Sequence, residues 1–274
     1  MITLDQGGRG IEAARIFPPP PDLRPYIEHS WIREGRDPTA NSDRAWRIVP
    51  DSSPHLIYSR VLRRDSRGLA HHVHRLAVVG PRAVHTDIDM SRRCLTVGVR
   101  LRPGSLPLLI RRPASEFVDR SFTAERLFGC RGSEALERAA EASTAGAIQR
   151  TLLALFRISL PRRGEIGPRL MQAMELLRCH GAYMSVAKIA RQLGVGERTL
   201  RLLCNDEIGL PPKRIARVFR LYRSVRLALR ERRGGWARIA VTAGYHDQPH
   251  LIRDFRALLG ETPREFLLRG NQPG

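Results

Sequence analysis

The chain has 274 residues and a formal charge of +20, with 47 basic against 27 acidic side chains. That length gives a prior of two domains, each able to bury its own core, and that charge favours a polyanionic partner such as nucleic acid or an acidic membrane surface over acidic substrates. Four scattered cysteines (Cys94, Cys130, Cys179, Cys204) form no CxxC pair and no zinc-finger spacing, which argues against a structural zinc or a disulfide framework. No apolar run is long enough for a bilayer-spanning helix, and MITLDQGGRG lacks the plan of a signal peptide, so a cytoplasmic protein without a membrane partner is expected. The basic residues are almost all arginine, the lysines being Lys188 and Lys213. Arginine pairs bidentately with phosphate or guanine, but a GC-rich genome would produce the same bias.

Taken in chain order, the run Phe17-Pro18-Pro19-Pro20-Pro21 reads as a stiff extended lead-in. Strands are expected at His55 to Leu62 and Leu76 to Val79, bounded by turn residues. Another is expected over 94–102, CLTVGVRLR, whose alternation puts Leu95, Val97, Val99 and Leu101 on one face of a half-buried strand. Residues 46–102 should therefore form a mostly antiparallel sheet. Trp31, Trp46 and Tyr58 are either core residues or pocket linings.

After Pro103-Gly104 the period changes. A short helix is expected over Leu106 to Ile110, and a linking helix over Ser133 to Ile158 with Leu136, Ala139, Ala140, Ile148, Leu152 and Leu155 at helical spacing. The PRRG turn at 161–164 marks the domain boundary, which divides the chain into 1–160 and 165–274.

Beyond it lies an internal repeat. VAKIARQLGVGERTLRLLC at 186–204 aligns with WARIAVTAGYHDQPHLIRDF at 236–255: Ile189 falls on Ile239, Ala190 on Ala240, Gly194 on Gly244 and Val195 on Tyr245. With one extra residue in the second turn, Leu200 falls on Leu251 and Cys204 on Phe255. Each copy is a two-turn helix that ends at glycine and is followed by an apolar residue and a second helix, a helix-turn-helix plan. One copy is a weak signal, whereas two in register point to nucleic-acid recognition. Between them Lys213 to Arg230 reads as one helix of about 27 Å at about 1.5 Å per residue. It carries an apolar stripe (Ile215, Val218, Tyr222, Val225, Leu229) and arginines at 214, 217, 220, 223, 226 and 230. Successive major grooves on one face of B-DNA lie about 34 Å apart, so the connector suits two recognition helices. Asp247 is the expected N-cap of the last of these, and Thr262-Pro263-Arg264-Glu265 an expected capping box.

These residues resemble the AraC/XylS family of bacterial regulators, through VAKIARQLGV, TLRLL, RLYRSVRLAL and IAVTAGYHDQPHLIRDFRALLGETPREF, which cover about 170–268. The first part is similar to the domain found upstream in one subgroup of such regulators, through PPPDLRPYIEHSWI, RIVPDSSPHLIY, VVGPR and VGVRLRPG. The resemblance implies a non-enzymatic, cofactor-free, sequence-specific DNA-binding transcription regulator of α+β two-domain fold. A β-rich domain, cupin-like or α+β, would precede an all-α domain with two helix-turn-helix units and recognition helices at about 196–207 and 247–258. It implies DNA contacts from Arg198, Thr199 and Arg201 in the first unit and from Gln248, His250 and Arg253 in the second. The chain departs from the family where a customary arginine falls on Leu202 and a customary aromatic on Cys204. Expected partners are double-stranded promoter DNA and, for an activator, RNA polymerase. For residues 1–160 a small-molecule effector pocket, a homodimer surface on 133–158, or both, stand open. The alternative reading is a metal-dependent cupin-like enzyme or metal sensor, with His71, His72 and His74 as ligands and His55 and His85 nearby.

Overall fold

The computed structural model describes residues 14–34, 45–89, 94–161, 164–231 and 235–271. The sheet begins earlier than the alternation pattern suggests, with β1 at Arg15–Phe17. The proline run then leads extended into a single 3-10 turn at Pro21–Leu23, which buries Leu23. The strands β2 (Ile27–Glu34), β3 (Ala45–Ile48), β4 (His55–Arg64), β5 (Ala70–Val79), β6 (Thr86–Asp89) and β7 (Cys94–Leu101) follow. After α1 (Ser105–Ile110) comes a last short strand, β8 (Ser121–Thr123). The main sheet has the order β1-β2-β7-β4-β5-β8, and β3 pairs separately with β6. Neighbours in the main sheet are antiparallel, and it is open, ending on β1 and β8.

The β4–β5 hairpin is longer than expected from Leu62 and Leu76, because charged and histidine residues interrupt the alternation at both inner ends. Its turn is set by Asp65, whose carboxylate accepts from the amides of Arg67 and Leu69, both at 2.9 Å, with Gly68 at φ +79°. β7 lies between β2 and β4 and is buried on both faces, not one. Leu95, Val97, Val99 and Leu101 enter the core. On the other face Gly98 admits the Trp31 ring so closely that a Cβ there would lie 2.3 Å from it.

Helices cover the inner face. α2 (Ala124–Phe128) leads into α3 (Cys130–Glu141) and α4 (Ala145–Ser159). The single linking helix expected over 133–158 is in fact a helical hairpin. Ala142 is extended, and Thr144 restarts the helix by accepting from the Ala147 amide. Leu152, Leu155 and Phe156 of α4 join Leu56, Tyr58, Leu76 and Phe117 in one core, so Tyr58 is a core residue. The Trp46 side chain lies outside the described residues.

The remaining chain is helical: α5 (Pro168–His180), α6 (Val186–Gln192), α7 (Glu197–Glu207), α8 (Pro212–Glu231), α9 (Trp236–Ala243), α10 (Gln248–Leu259) and α11 (Pro263–Asn271). α6–α7 and α9–α10 are the two copies of the repeat. In each the turn glycine is left-handed, with φ +64° at Gly194 and +91° at Gly244. Ala190 and Ala240 are buried where the paired helices cross. Each unit has its own core, around Ile189, Leu200, Cys204 and Ile215 in the first and Ile239, Leu251, Phe255 and Phe266 in the second. The 20 residues of α8 span about 30 Å and join them. Val218, Leu221, Val225 and Ala228 are buried along it, while the Leu229 side chain lies outside the described residues. The capping box forms: Thr262 accepts from the Glu265 amide at 3.2 Å, and its own amide donates to Glu265 Oε2 at 2.6 Å.

The sheet region touches both units. Residues 114–117 and α1 pack against α7, and Gly209, just beyond α7, approaches Ala114 so closely that a Cβ would lie 2.8 Å from its carbonyl oxygen. The His85 amide donates to the Leu258 carbonyl of α10 at 3.0 Å, and Arg214 of α8 donates to the Ala83 carbonyl at 2.6 Å.

Candidate nucleic-acid interface

In α7 the buried Leu200 and Cys204 fix one face against the core of the first unit. The opposite face carries Arg198, Thr199, Arg201 and Leu202, all exposed. The structure thus brings together the three residues singled out in the first unit. Arg201 is tethered to Glu197 one turn back at 2.9 Å, and Arg198 is exposed in the first turn. Cys204 fills the core position of the family's aromatic, where burial pushes its thiol up to about 12.

In α10 the Asp247 carboxylate accepts from the His250 amide at 2.7 Å. That bond, with a second from His246, holds its pKa below the ordinary range. Pro249 is tolerated because first-turn amides have no intrahelical acceptor. His250 is half-buried and stands edge-on to Tyr245, ring centres 5.2 Å apart. Gln248 is half-buried and Arg253 exposed. The second set is therefore also gathered at one end of a helix, with the His250 ring partly committed to the turn.

Four of the arginines of α8 (Arg214, Arg217, Arg220, Arg223) are engaged within the protein. Arg217 donates to Asp254 Oδ1 through Nε at 3.1 Å and Nη2 at 2.7 Å, and Arg220 reaches Oδ2 at 3.1 Å. Arg220 also lies over the Tyr245 ring at 4.7 Å, and Arg223 over Tyr183 at 5.9 Å. Asp254 is 4% exposed and sits on α10 next to Arg253. The triad therefore ties the connector to the second unit's outer helix. Its sequence signal was the i, i+3 spacing of Arg217 and Arg220, which could not reveal the carboxylate they share.

A cleft of about 760 Å³ separates the sheet region from the helical region. Its walls include Arg102 and Ser53 on one side and Met171, Phe219, Arg223 and Arg226 on the other. At its base Arg100 donates to Glu28 at 2.8 Å and to both carboxylate oxygens of Asp51, one at 2.7 Å. His55 stands 3.5 Å from Asp51. Burial would raise the Asp51 pKa, but Arg100 and the hydrogen bonds from His55 and Arg100 overcome it and leave it far below the carboxylate range. Burial lowers His55, and burial with the Arg100 charge lowers His29 to about 4. Burial pushes the Tyr222 phenol of α8 well up, and the Asp51 charge adds to this. Two separate regions build this cleft, so no local motif announces it.

The histidines of β5 do not converge. His72 and His74 share a face, with ring centres 6.2 Å apart, while His71 alternates to the other face. His74 Nδ1 is hydrogen-bonded to Tyr58 at 2.7 Å. Among the described residues no three His, Cys, Asp or Glu side chains gather as metal ligands. Among them, too, no helix is long and apolar enough to cross a membrane.

Residues 189–269 match a family described as a helix-turn-helix domain, and residues 15–123 match one described as a domain of unknown function (DUF6597). No curated protein matches the chain. Among solved structures, ToxT from Vibrio cholerae O395 aligns at 10% identity over 90% of this chain and 99% of its own, with a TM-score of 0.45. The same protein bound to (E)-4-(8-methylnaphthalen-1-yl)but-3-enoic acid aligns at 10% identity over 88% and 98%, with a TM-score of 0.47. Likeness this distant transfers neither fold nor ligand.

An antiparallel sheet domain ahead of a helical domain with two helix-turn-helix pairs defines the class, a DNA-binding transcription regulator. The helix-turn-helix domain matched at residues 189–269 is of the AraC type.

Proposed function

We propose that the chain regulates transcription by reading specific duplex DNA through α7 and α10 in successive major grooves. Residues 165–274 bind the DNA and residues 1–160 modulate that binding. The observation that carries this reading is the pair of matched helix-turn-helix units on one 20-residue connector, each presenting an exposed arginine from its outer helix, Arg198 and Arg253. Arg198 and Arg201 lie one turn apart near the helix start, where an arginine can pair bidentately with guanine O6 and N7 at about 1–3 kcal/mol of discrimination. Gln248 suits adenine, Thr199 and His250 a base or phosphate, and Arg253 guanine or phosphate.

Modulation is supported by the junction, where the sheet region touches α7 through residues 114–117 and α10 through His85. The cleft beside that junction is a place for a small-molecule effector, and the exposed face of the α3–α4 hairpin a place for a second copy of the chain. The role is binding, not catalysis, in the cytoplasm, with RNA polymerase as partner if the regulator activates.

Selection of a randomised duplex library on the full chain tests this. Two short motifs about one helical turn apart are expected, the first relaxing in Arg198→Ala and the second in Arg253→Ala. Retention without a motif, at a steep salt slope, would make the repeat a charged scaffold.

A further inference from the structure

Leu202 is 51% exposed in the middle of α7. At about 100° per residue it points about 200° away from both Leu200 and Cys204, the two side chains that bury this helix. It therefore occupies the centre of the outward face, one turn after Arg198 and one turn before Asp206, with Thr199 and Arg201 at the flanks. The arginines stand in the leading half of this face and the Asp206 carboxylate at its far end. A large aliphatic group at the centre of such a face has no intramolecular role, since the core of the first unit closes without it.

We infer that Leu202 reads the C5-methyl group of a thymine in the first half-site; the inference rests on the DNA-binding reading above. The major-groove edges of the four base pairs are rows of donors and acceptors, and the one apolar group among them is the thymine methyl. Leucine forms no hydrogen bond, so a cytosine amine or guanine O6 facing it would lose water without gaining a partner. A thymine methyl gains a contact and leaves water with the leucine. Selection at this position thus comes both from attraction to the methyl and from the penalty on polar alternatives. An apolar side chain at this helix position thus directs it to T·A.

The test uses the full chain and its selected duplex. The first half-site, identified by its relaxation in Arg198→Ala, is expected to contain one thymine whose replacement by deoxyuridine, which removes only the methyl, weakens binding about fourfold, the equivalent of one buried carbon at about 0.8 kcal/mol. Leu202→Ala should bind the thymine and deoxyuridine duplexes equally and accept other bases there, while Leu202→Met keeps the preference. A first half-site in which no thymine responds to deoxyuridine, or a response that survives Leu202→Ala, overturns the inference and leaves the DNA-binding reading standing. Recovery of no motif at all overturns both.

Discussion

Replacing Asp254 by alanine removes the carboxylate that pairs with both Arg217 and Arg220 where α8 meets α10. The carboxylate accepts three hydrogen bonds, and the side chains of Arg217 and Arg220 are 33% and 14% exposed. Removing one partner of a buried ion pair costs about 3–5 kcal/mol, because the other charge stays desolvated. Arg217, a third exposed, recovers water when released and brings the cost to the low end, about 3 kcal/mol. For a chain of this size each kcal/mol lowers the melting temperature by about 2–4 °C, so calorimetry should record a fall of about 6–12 °C. Arg217→Ala alone should cost about 1 kcal/mol, since Arg220 continues to pair with the carboxylate. In the Arg217→Ala background the further cost of Asp254→Ala should shrink by a comparable amount. A fall of less than about 2 °C in Asp254→Ala, or strict additivity in the double variant, would refute the view that the triad clamps the connector to the second unit.

Three further outcomes are expected. Arg220→Ala should leave the salt dependence of DNA binding unchanged because its charge is spent on Asp254, whereas loss of a phosphate contact lowers the slope by roughly one; titration across ionic strength separates them. Gly209→Ala combines a φ of +90° with a Cβ only 2.8 Å from the Ala114 carbonyl oxygen, and should cost about 1–3 kcal/mol, with faster amide exchange in both α7 and residues 114–117. The His29 pKa lies near 4 in the fold against 6.5 for the free side chain. Protonation therefore favours the unfolded chain, and the contribution of neutral His29 is complete above pH 6.5 and lost as pH falls towards 4. The melting temperature should decline over that interval, and His29→Gln should flatten the decline. Asp51, held low by Arg100, adds a separate loss that begins only below about pH 4.

The helical region was legible because its signals are local. Gly194 and Gly244 mark turns that need a left-handed residue, Asp247 and Thr262 cap helices through their own neighbours, and Ala190 and Ala240 mark close crossings. In the sheet region the same local reading failed where burial is decided by distant partners. β7 looked one-sided because Gly98 and Arg100 are not apolar, yet Trp31 covers the first and Asp51 and Glu28 neutralise the second. The break between α3 and α4 was present in Ser143-Thr144 but hidden by apolar spacing that continued across it. Most of the proposed readout was visible in advance on one face of α7, while the partners of the α8 arginines depended on a carboxylate more than thirty residues away.

α8 has two oppositely loaded sides. Arg220 grips Asp254 of the second unit, and Tyr222, about 200° further round the same helix, lies beside Asp51 and Arg100 of the sheet region. A rod held this way acts as an axle: any roll that withdraws the phenol from the acidic and basic groups at the cleft base swings Arg217 and Arg220 off their carboxylate. The seating of α10 on the connector and the seating of the sheet region are thereby geared to one rotation.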